Sequence, residues 1–467
     1  MVEEAVNQLD EETLASAYAG HGSLPYAPDL MLKIALMEIL EGRPSPAQWY
    51  RDAAENDPLK WLGRGIKPGR TTWYDFRDRL DKVIGQLNTQ LIQQATSEQL
   101  LHPELASQDG STFRSQASRH QAFNHSRLEK HKAHVQAAVN QDQTGEPAIE
   151  TVPKWMPATV SGRRKLLARI EKAEQRLKQR LQENQAKPRN KRQNEKHVVV
   201  SLTDPDAVFA RDKEKTYCFL YTAQLMIDND SLMIIGYSVA GENTDVGTVG
   251  QMIDQVQANV GGTLMQVSAD SSYSSALDLQ DCEERNINLL APVSENSLSH
   301  IKAAKKDKPK LFSRDDFQWR PDRQEFECPG GQVLTYRTKE RLARHGGREI
   351  ICRHYQCLPK HCLACALANQ CTTSPALGRR IKRLDGQERI DAQREKMKQP
   401  EAKKLYARRS QTIERAFGDA KLHRSIGRLR GRGLLRARAS IGLLVLGQNI
   451  LGLNRLRKSK IPAIQKE

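Results

Sequence analysis

Residues 217–240 read YCFLYTAQLMIDNDSLMIIGYSVA. Two runs rich in aromatic, β-branched and aliphatic side chains, Tyr217 to Ile227 and Ser231 to Ala240, flank the polar triplet Asp228–Asn229–Asp230. Strand-forming runs on either side of a turn sequence predict an antiparallel hairpin. Downstream, Val246, Val249, Met252, Ile253 and Val256 fall on one helical face within Thr244 to Val260. A short strand follows at Leu264 to Val267, then a helix over Ser274 to Arg285 and a buried strand over Ile287 to Val293. The order hairpin, helix, strand, helix, strand is that of an α/β unit. A β-like segment at residues 104–113, containing Asp109–Gly110, supplies a fifth strand at an edge or in the centre of a mixed sheet.

Around this unit the chain changes character. Residues 24–98 read as helical: Leu30, Ile34, Met37 and Leu40 repeat at helical spacing, Gly42, Pro44 and Pro46 make a turn, and Ala47 to Asn56 is a second helix. Pro68–Gly69–Arg70–Thr71–Thr72 predicts a turn with a threonine N-cap, opening a helix through Trp73, Phe76, Leu80, Val83 and Leu87. Such a group suits DNA binding or a dimerisation bundle equally. Leu166, Ile170, Ala173, Leu177 and Leu181 mark an amphipathic helix or short coiled coil. Between Ser161 and His197 there are thirteen Lys/Arg against four Glu, an excess that suits an arm following a duplex. Histidines 120, 125, 131 and 134 lack an H-E-x-x-H pattern and read as solvated groups in a basic segment. Lys302 to Lys310 is a Lys-rich loop, and Phe312, Phe317, Trp319, Phe326, Leu334 and Tyr336 alternate as in an antiparallel insertion. From Pro400 the chain is helical, with Tyr406, Ile413, Phe417 and Ala420 on one face, and Leu434 to Leu456 is an apolar helix expected to dock on the core.

The 467 residues carry 73 Lys/Arg against 56 Asp/Glu, a net charge of +17, which points to a polyanionic partner. Aromatics make up only 5%, too few for base stacking to be the main binding device. The acidic, polar Met1 to Glu12 has no secretory signal pattern. Ile441 to Leu453 is broken by Gln448 and Asn449 and falls short of the ~20 apolar residues a membrane span needs. A nucleic-acid-facing protein inside the cell, without a membrane partner, is the expectation.

Chemistry in α/β sheets collects at strand ends. Asp270 follows the strand ending Val267–Ser268–Ala269, and Asp109 sits in the first β segment. Glu414 lies in a later helix among Arg408, Arg409, Arg415 and Lys421, where an acid by itself would be a salt-bridge partner. Three converging acids would instead hold divalent cations for phosphoryl transfer. Asp204 and Asp206 flank a proline and are read as turn formers, and Asp245 as a helix N-cap or a first-turn acid stabilised by the dipole. Of eight cysteines, five crowd into Cys352 to Cys371. Cys357-x4-Cys362-x2-Cys365-x5-Cys371 contains one C-x-x-C, with Cys328 as a distant partner and Cys352, His354 and His361 as further donors. Structural zinc and reduced cysteines filling a small core are both open readings.

Thr203–Asp204–Pro205–Asp206–Ala207, Ala269–Asp270–Ser271–Ser272–Tyr273 and Ile413–Glu414–Arg415–Ala416–Phe417–Gly418, in this order, resemble bacterial insertion-sequence transposases of the DDE type. The likeness extends to the helical N-terminus and the Cys-rich insertion. It implies an RNase H-like five-stranded mixed sheet with flanking helices. The divisions expected are an N-terminal helical DNA-binding or dimerisation domain (1–98), the first core strand (99–124), a basic helical insertion (125–197), the catalytic core (198–293), a β-rich and Cys-rich insertion (294–385) and C-terminal helices (386–467). By resemblance Asp109, Asp270 and Glu414 are the catalytic, Mg²⁺- or Mn²⁺-binding acids, and Lys421, seven residues past Glu414, contacts DNA. Tyr406 and an arginine, Arg408 or Arg409, match the same signature with a spacing that departs by one residue, and Arg415 adds to the DNA-facing charge. Ser271–Ser272 replaces the small residues usual after the second acid. The resemblance favours Cys328, Cys362, Cys365 and Cys371 for zinc. It implies cleavage at terminal inverted repeats and strand transfer into target double-stranded DNA, by a homodimer or larger synaptic complex, in the bacterial cytoplasm at the nucleoid. The alternative is a catalytically decayed transposase retained as a sequence-specific DNA-binding protein.

Overall fold

The computed structural model describes residues 1–18, 26–144, 153–187, 192–242, 247–294, 311–343 and 348–460. The expected Asp245 cap and the Lys302 to Lys310 loop lie outside these residues.

A mixed sheet forms the centre. Its strands are β1 (Leu105–Arg114), β2 (Val208–Arg211), β3 (Tyr217–Asp228), β4 (Ile234–Ala240), β5 (Gln266–Ser268) and β6 (Asn288–Leu290). The hairpin β3–β4 forms as its sequence predicts, antiparallel from Thr222↔Ala240 to Ile227↔Ile234. On its other edge β3 pairs antiparallel with β1, and β1 pairs parallel with β5, which pairs parallel with β6. The segment bearing Asp109 is therefore a central strand. The order is β4–β3–β1–β5–β6, and the unforeseen β2 extends the outer edge of β3 to make six strands. The turn-rich setting and four-residue length of β2 hide it from a reading of the sequence.

Before the sheet come four main helices: α1 (Pro28–Leu40), α2 (Pro46–Glu55), α3 (Arg70–Leu80) and α4 (Ile84–Ser97). The N-cap of α3 is Gly69, without a side-chain bond, so the expected threonine cap is wrong; Thr71 and Thr72 lie in the first turn. The single helix expected through Leu87 also breaks into α3 and α4. Two long helices, α5 (His125–Thr144) and α6 (Val160–Ala186), pack on each other through Leu128, Val135, Val139, Ile170, Ala173 and Leu177. The apolar stripe of α6 is thus satisfied within the chain. His131 is not simply solvated: its ring stacks on Trp155 at 4.3 Å and meets Phe123 edge-on.

Helices α7 (Val249–Val260) and α8 (Ala276–Glu284) connect the later core strands. The insertion is a second, antiparallel sheet ordered β11–β10–β9–β8–β7, with β7 at Gln318–Arg320, β8 at Glu325–Glu327, β9 at Val333–Ala343, β10 at Glu349–Cys357 and β11 at Arg380–Leu384. Helices α9 (Gln387–Lys396), α10 (Pro400–Ala407), α11 (Arg409–Gly418) and α12 (Leu434–Lys460) complete the described chain.

By length and composition α12 could cross a membrane, yet 67% of its most apolar window is buried within the protein. It packs between the N-terminal helices and the hairpin, and one hydrophobic cluster runs from Val2 to Leu453 through both. Gly442 permits the approach, since a Cβ there would sit 2.6 Å from Ile84 and 2.7 Å from the Tyr237 hydroxyl. Asn449, which breaks the apolar run in sequence, accepts from the Ile234 N–H and donates to the Ile234 carbonyl, both at 2.8 Å. It thereby satisfies backbone groups at the sheet edge that would otherwise be orphaned.

Candidate active site

The parallel register carries the first two acids to one place. Ser107 of β1 pairs with Ser268 of β5, and Asp109 and Asp270 each lie two residues further on. They therefore sit at equivalent heights on neighbouring strands. Asp270 is the N-cap of a single helical turn, where its Oδ1 accepts from the Ser272 N–H at 2.7 Å and the Ser272 hydroxyl at 2.6 Å. The sequence reading gives Ser272 no such role, although Asp-x-Ser spacing is a local capping pattern that could have revealed it. Tyr273, the other member of the motif, is fully buried and donates to Gln224 of β3 at 2.5 Å, so it braces the loop from beneath.

Asp109, Ser111 and Phe113 alternate onto one face of β1, and α11 crosses that face. Arg409 at the start of α11 pairs with Asp109 Oδ2 at 2.9 Å, while Asp109 Oδ1 accepts from the Gly110 N–H. Phe417 packs on Phe113 with ring centroids 6.4 Å apart. Lys421 donates to the Ser111 hydroxyl at 2.7 Å from a π-helical turn, Asp419–His423, that extends α11. Burial, together with the Lys213 charge and against the pull of Asp109 and Asp212, lowers the Lys421 ammonium to about 8.

The two arginines take different partners. α10 ends and α11 begins at Arg408, whose side chain turns to Asp230 in the β3–β4 turn at 2.5 Å; Arg409 instead meets Asp109. Tyr406 is half-buried in the same neighbourhood. Burial raises its phenol, Arg409 lowers it, and the Asp270 and Asp109 charges raise it again. Glu414 lies on α11 one turn before Phe417, exposed, with no hydrogen bond or ion pair among the described residues. The structure thus brings Asp109, Asp270, Tyr406, Arg409 and Lys421 together. Glu414 is on the helix that covers them but is bonded to neither aspartate. Arg415, next to it, is exposed as well.

The donor set suits a hard cation. Two carboxylates, Asp109 midway along β1 and Asp270 just past the end of β5, offer oxygen ligands of the kind Mg²⁺ and Mn²⁺ prefer. The Arg409 guanidinium already supplies positive charge against Asp109.

Asp204 and Asp206 work elsewhere, as the sequence suggests. Asp204 is fully buried and accepts from the Tyr221 hydroxyl at 2.5 Å and the Gly433 N–H at 2.9 Å, and Asp206 accepts from the Leu434 N–H. The pair caps the N-terminus of α12, where the helix dipole favours negative charge. Arg180 of α6 donates to the carbonyls of Pro205, Asp206 and Ala207 in the same loop. Burial lowers its guanidinium to about 10, and it belongs to the fold rather than to a DNA-facing surface.

In the insertion, Cys328, Cys357, Cys362, Cys365 and Cys371 line one small cavity of about 20 Å³ with His361. The Gln332 N–H points at Cys328 Sγ (3.3 Å) and the Arg379 N–H at Cys362 Sγ (3.4 Å). Backbone N–H groups aimed at sulfur stabilise thiolate, the form that binds metal. All four positions favoured by resemblance reach this cavity, and Cys357 joins them.

Residues 327–454 match the family model described as transposase DDE domain. The matched stretch includes the cysteine cavity, Arg409, Glu414 and Lys421. Among solved structures, the piggyBac transposase synaptic complex with hairpin DNA is similar at 9% identity and a TM-score of 0.31, over 99% of this chain and 80% of that one. No curated protein matches the sequence.

Proposed function

We propose that the protein is a DNA transposase that cleaves insertion-sequence ends and transfers the freed strand into target DNA. The observation that carries this reading is the parallel β1–β5 register, which brings Asp109 and Asp270 together beside Arg409 and Lys421. On this reading the core is RNase H-like, with Asp109, Asp270 and Glu414 as the acids that hold divalent cations. Mg²⁺ or Mn²⁺ bound there supplies activation of the attacking oxygen and stabilisation of the leaving oxygen. The chain's own groups do the rest. Ser272 fixes the Asp270 carboxylate, and Arg409 holds Asp109 and restrains its charge. Lys421 grips a phosphate oxygen, and Tyr406 orients the strand against the aspartates. Glu414 enters when DNA neutralises the surrounding cations, Arg415 among them. Zinc in the cavity of Cys328, Cys362, Cys365 and Cys371 would be structural. Joining two ends calls for a homodimer or larger complex, acting on chromosomal DNA in a bacterial cytoplasm.

The test is cleavage of a supercoiled plasmid carrying the element ends in Mg²⁺ or Mn²⁺. Wild type should nick at the ends. Asp109→Ala, Asp270→Ala and Glu414→Ala should each reduce nicking by about 10³-fold or more while end binding persists. Binding without cutting by wild type would favour the decayed, DNA-binding alternative. Activity that survives Glu414→Ala would remove Glu414 from the site.

A further inference from the structure

A second group of metal-binding donors lies outside both the acidic site and the cysteine cavity. Glu340 of β9 stands directly opposite Cys352 of β10. His354 is two residues further along β10, so its side chain shares the face of Cys352. The thiol, an imidazole nitrogen and a carboxylate oxygen all lie within 4.8 Å of one another, and His354 Nε2 is 3.4 Å from Glu340 Oε1.

Cys352 is almost fully buried, whereas His354 and Glu340 reach solvent. An ordinary ion cluster of Glu340, His354 and Lys382 has no need of a buried thiol at its base. One sulfur, one nitrogen and one oxygen is a donor set for zinc-class ions, not for Mg²⁺ or Ca²⁺. With three protein ligands and one solvent-facing side, a fourth position remains for water. Lys382 reaches Glu340 Oε1 at 3.2 Å from the adjacent strand. It is exposed and long enough to swing away when a dication takes its place.

The location gives the site a purpose. Cys352 packs with Leu342, Ile350 and Ala276, the first residue of α8. Ala276 comes six residues after Asp270. Cys352 and Cys357 are five residues apart on β10, about 17 Å at strand rise, so the group cannot share an ion with the cysteine cavity.

We propose that Glu340, Cys352 and His354 bind one divalent ion of the zinc class, which ties β9 to β10 where the insertion sheet packs on the start of α8. The decisive measurement is the metal content of the purified full chain by mass spectrometry. The set comprises wild type, His354→Ala, Glu340→Gln and Cys365→Ser, with circular dichroism as a check on folding. His354→Ala and Glu340→Gln should each lose one equivalent of zinc that Cys365→Ser retains. In metal-stripped protein, Co²⁺ should bind His354→Ala at least tenfold more weakly at one site. A single equivalent in wild type that His354→Ala removes supports this site and rejects zinc in the cavity. Equal metal in wild type and both variants, or metal removed by Cys365→Ser alone, overturns the proposal.

Discussion

Lys421 shows how much one side chain's surroundings decide. It is held against Ser111 under partial burial, and its ammonium titrates near 8 instead of the ordinary lysine range. Below about pH 8 it is charged and can grip phosphate; above that the free protein loses this charge. A bound phosphate raises the value again, so binding near pH 9 takes up a proton and weakens as pH rises. Nicking at the element ends should therefore fall off above pH 8, and Lys421→Arg, charged throughout, should carry the plateau at least one unit higher. A profile unchanged by that substitution would refute the assignment. Ser272 acts at the same scale. Ser272→Ala removes the hydroxyl bond to the Asp270 carboxylate while the backbone N–H bond stays, and should raise the Mg²⁺ concentration for half-maximal nicking about tenfold, since a bond to a charged group is worth ~1.5–3 kcal/mol.

What the sequence discloses about this site depends on distance along the chain. The placement of Asp270 is legible because strand ends follow from apolar runs, and the hairpin from its turn, whereas Asp109 falls midway along β1. The arginine is not legible: Arg408 and Arg409 differ by about 100° around a helix axis, and only the helix break at Arg408 decides which one faces β1. Ser272 is visible in the motif, but nothing in the motif gives it weight. The capping role of Asp204 depends on Tyr221 and on Gly433, the latter 229 residues away, and no local pattern announces such a partner.

At the scale of elements, the loop of residues 204–207 binds two helices at once, α12 through its acids and α6 through Arg180. Asp204→Ala would leave a buried tyrosine hydroxyl and a helix N–H without an acceptor, and should destabilise the protein by ~3 kcal/mol in urea, with Asp204→Asn losing less. The charges of the basic pair α5–α6 sit in two settings. Arg169 and Lys172 are exposed, whereas Arg180 is committed to carbonyls. Replacing Arg169 and Lys172 by alanine should lower the slope of log affinity against log salt by about 1.8, at ~0.9 for each phosphate left unneutralised. Arg180→Ala should leave that slope alone and lower stability instead. The reverse pattern would assign Arg180 to DNA.

The whole molecule is organised around α12. Its apolar residues fill the space between the N-terminal helices and the central sheet, so the two regions share a core although more than a hundred residues separate α4 from β3. Leu446→Ala should destabilise by ~2–5 kcal/mol, and fluorescence from Trp49 and Trp73 should report the same unfolding midpoint as far-UV circular dichroism. Separate midpoints would mean that α12 does not couple the two regions.

The helix that joins everything is also the last of these elements to leave the ribosome. Until residues 434–460 emerge, the N-terminal helices lack their partner, the hairpin has an uncovered edge and Asp204 has no helix to cap. A chain interrupted during synthesis cannot close around its central sheet, so the cleavage proposed above would arise only in molecules translated through α12.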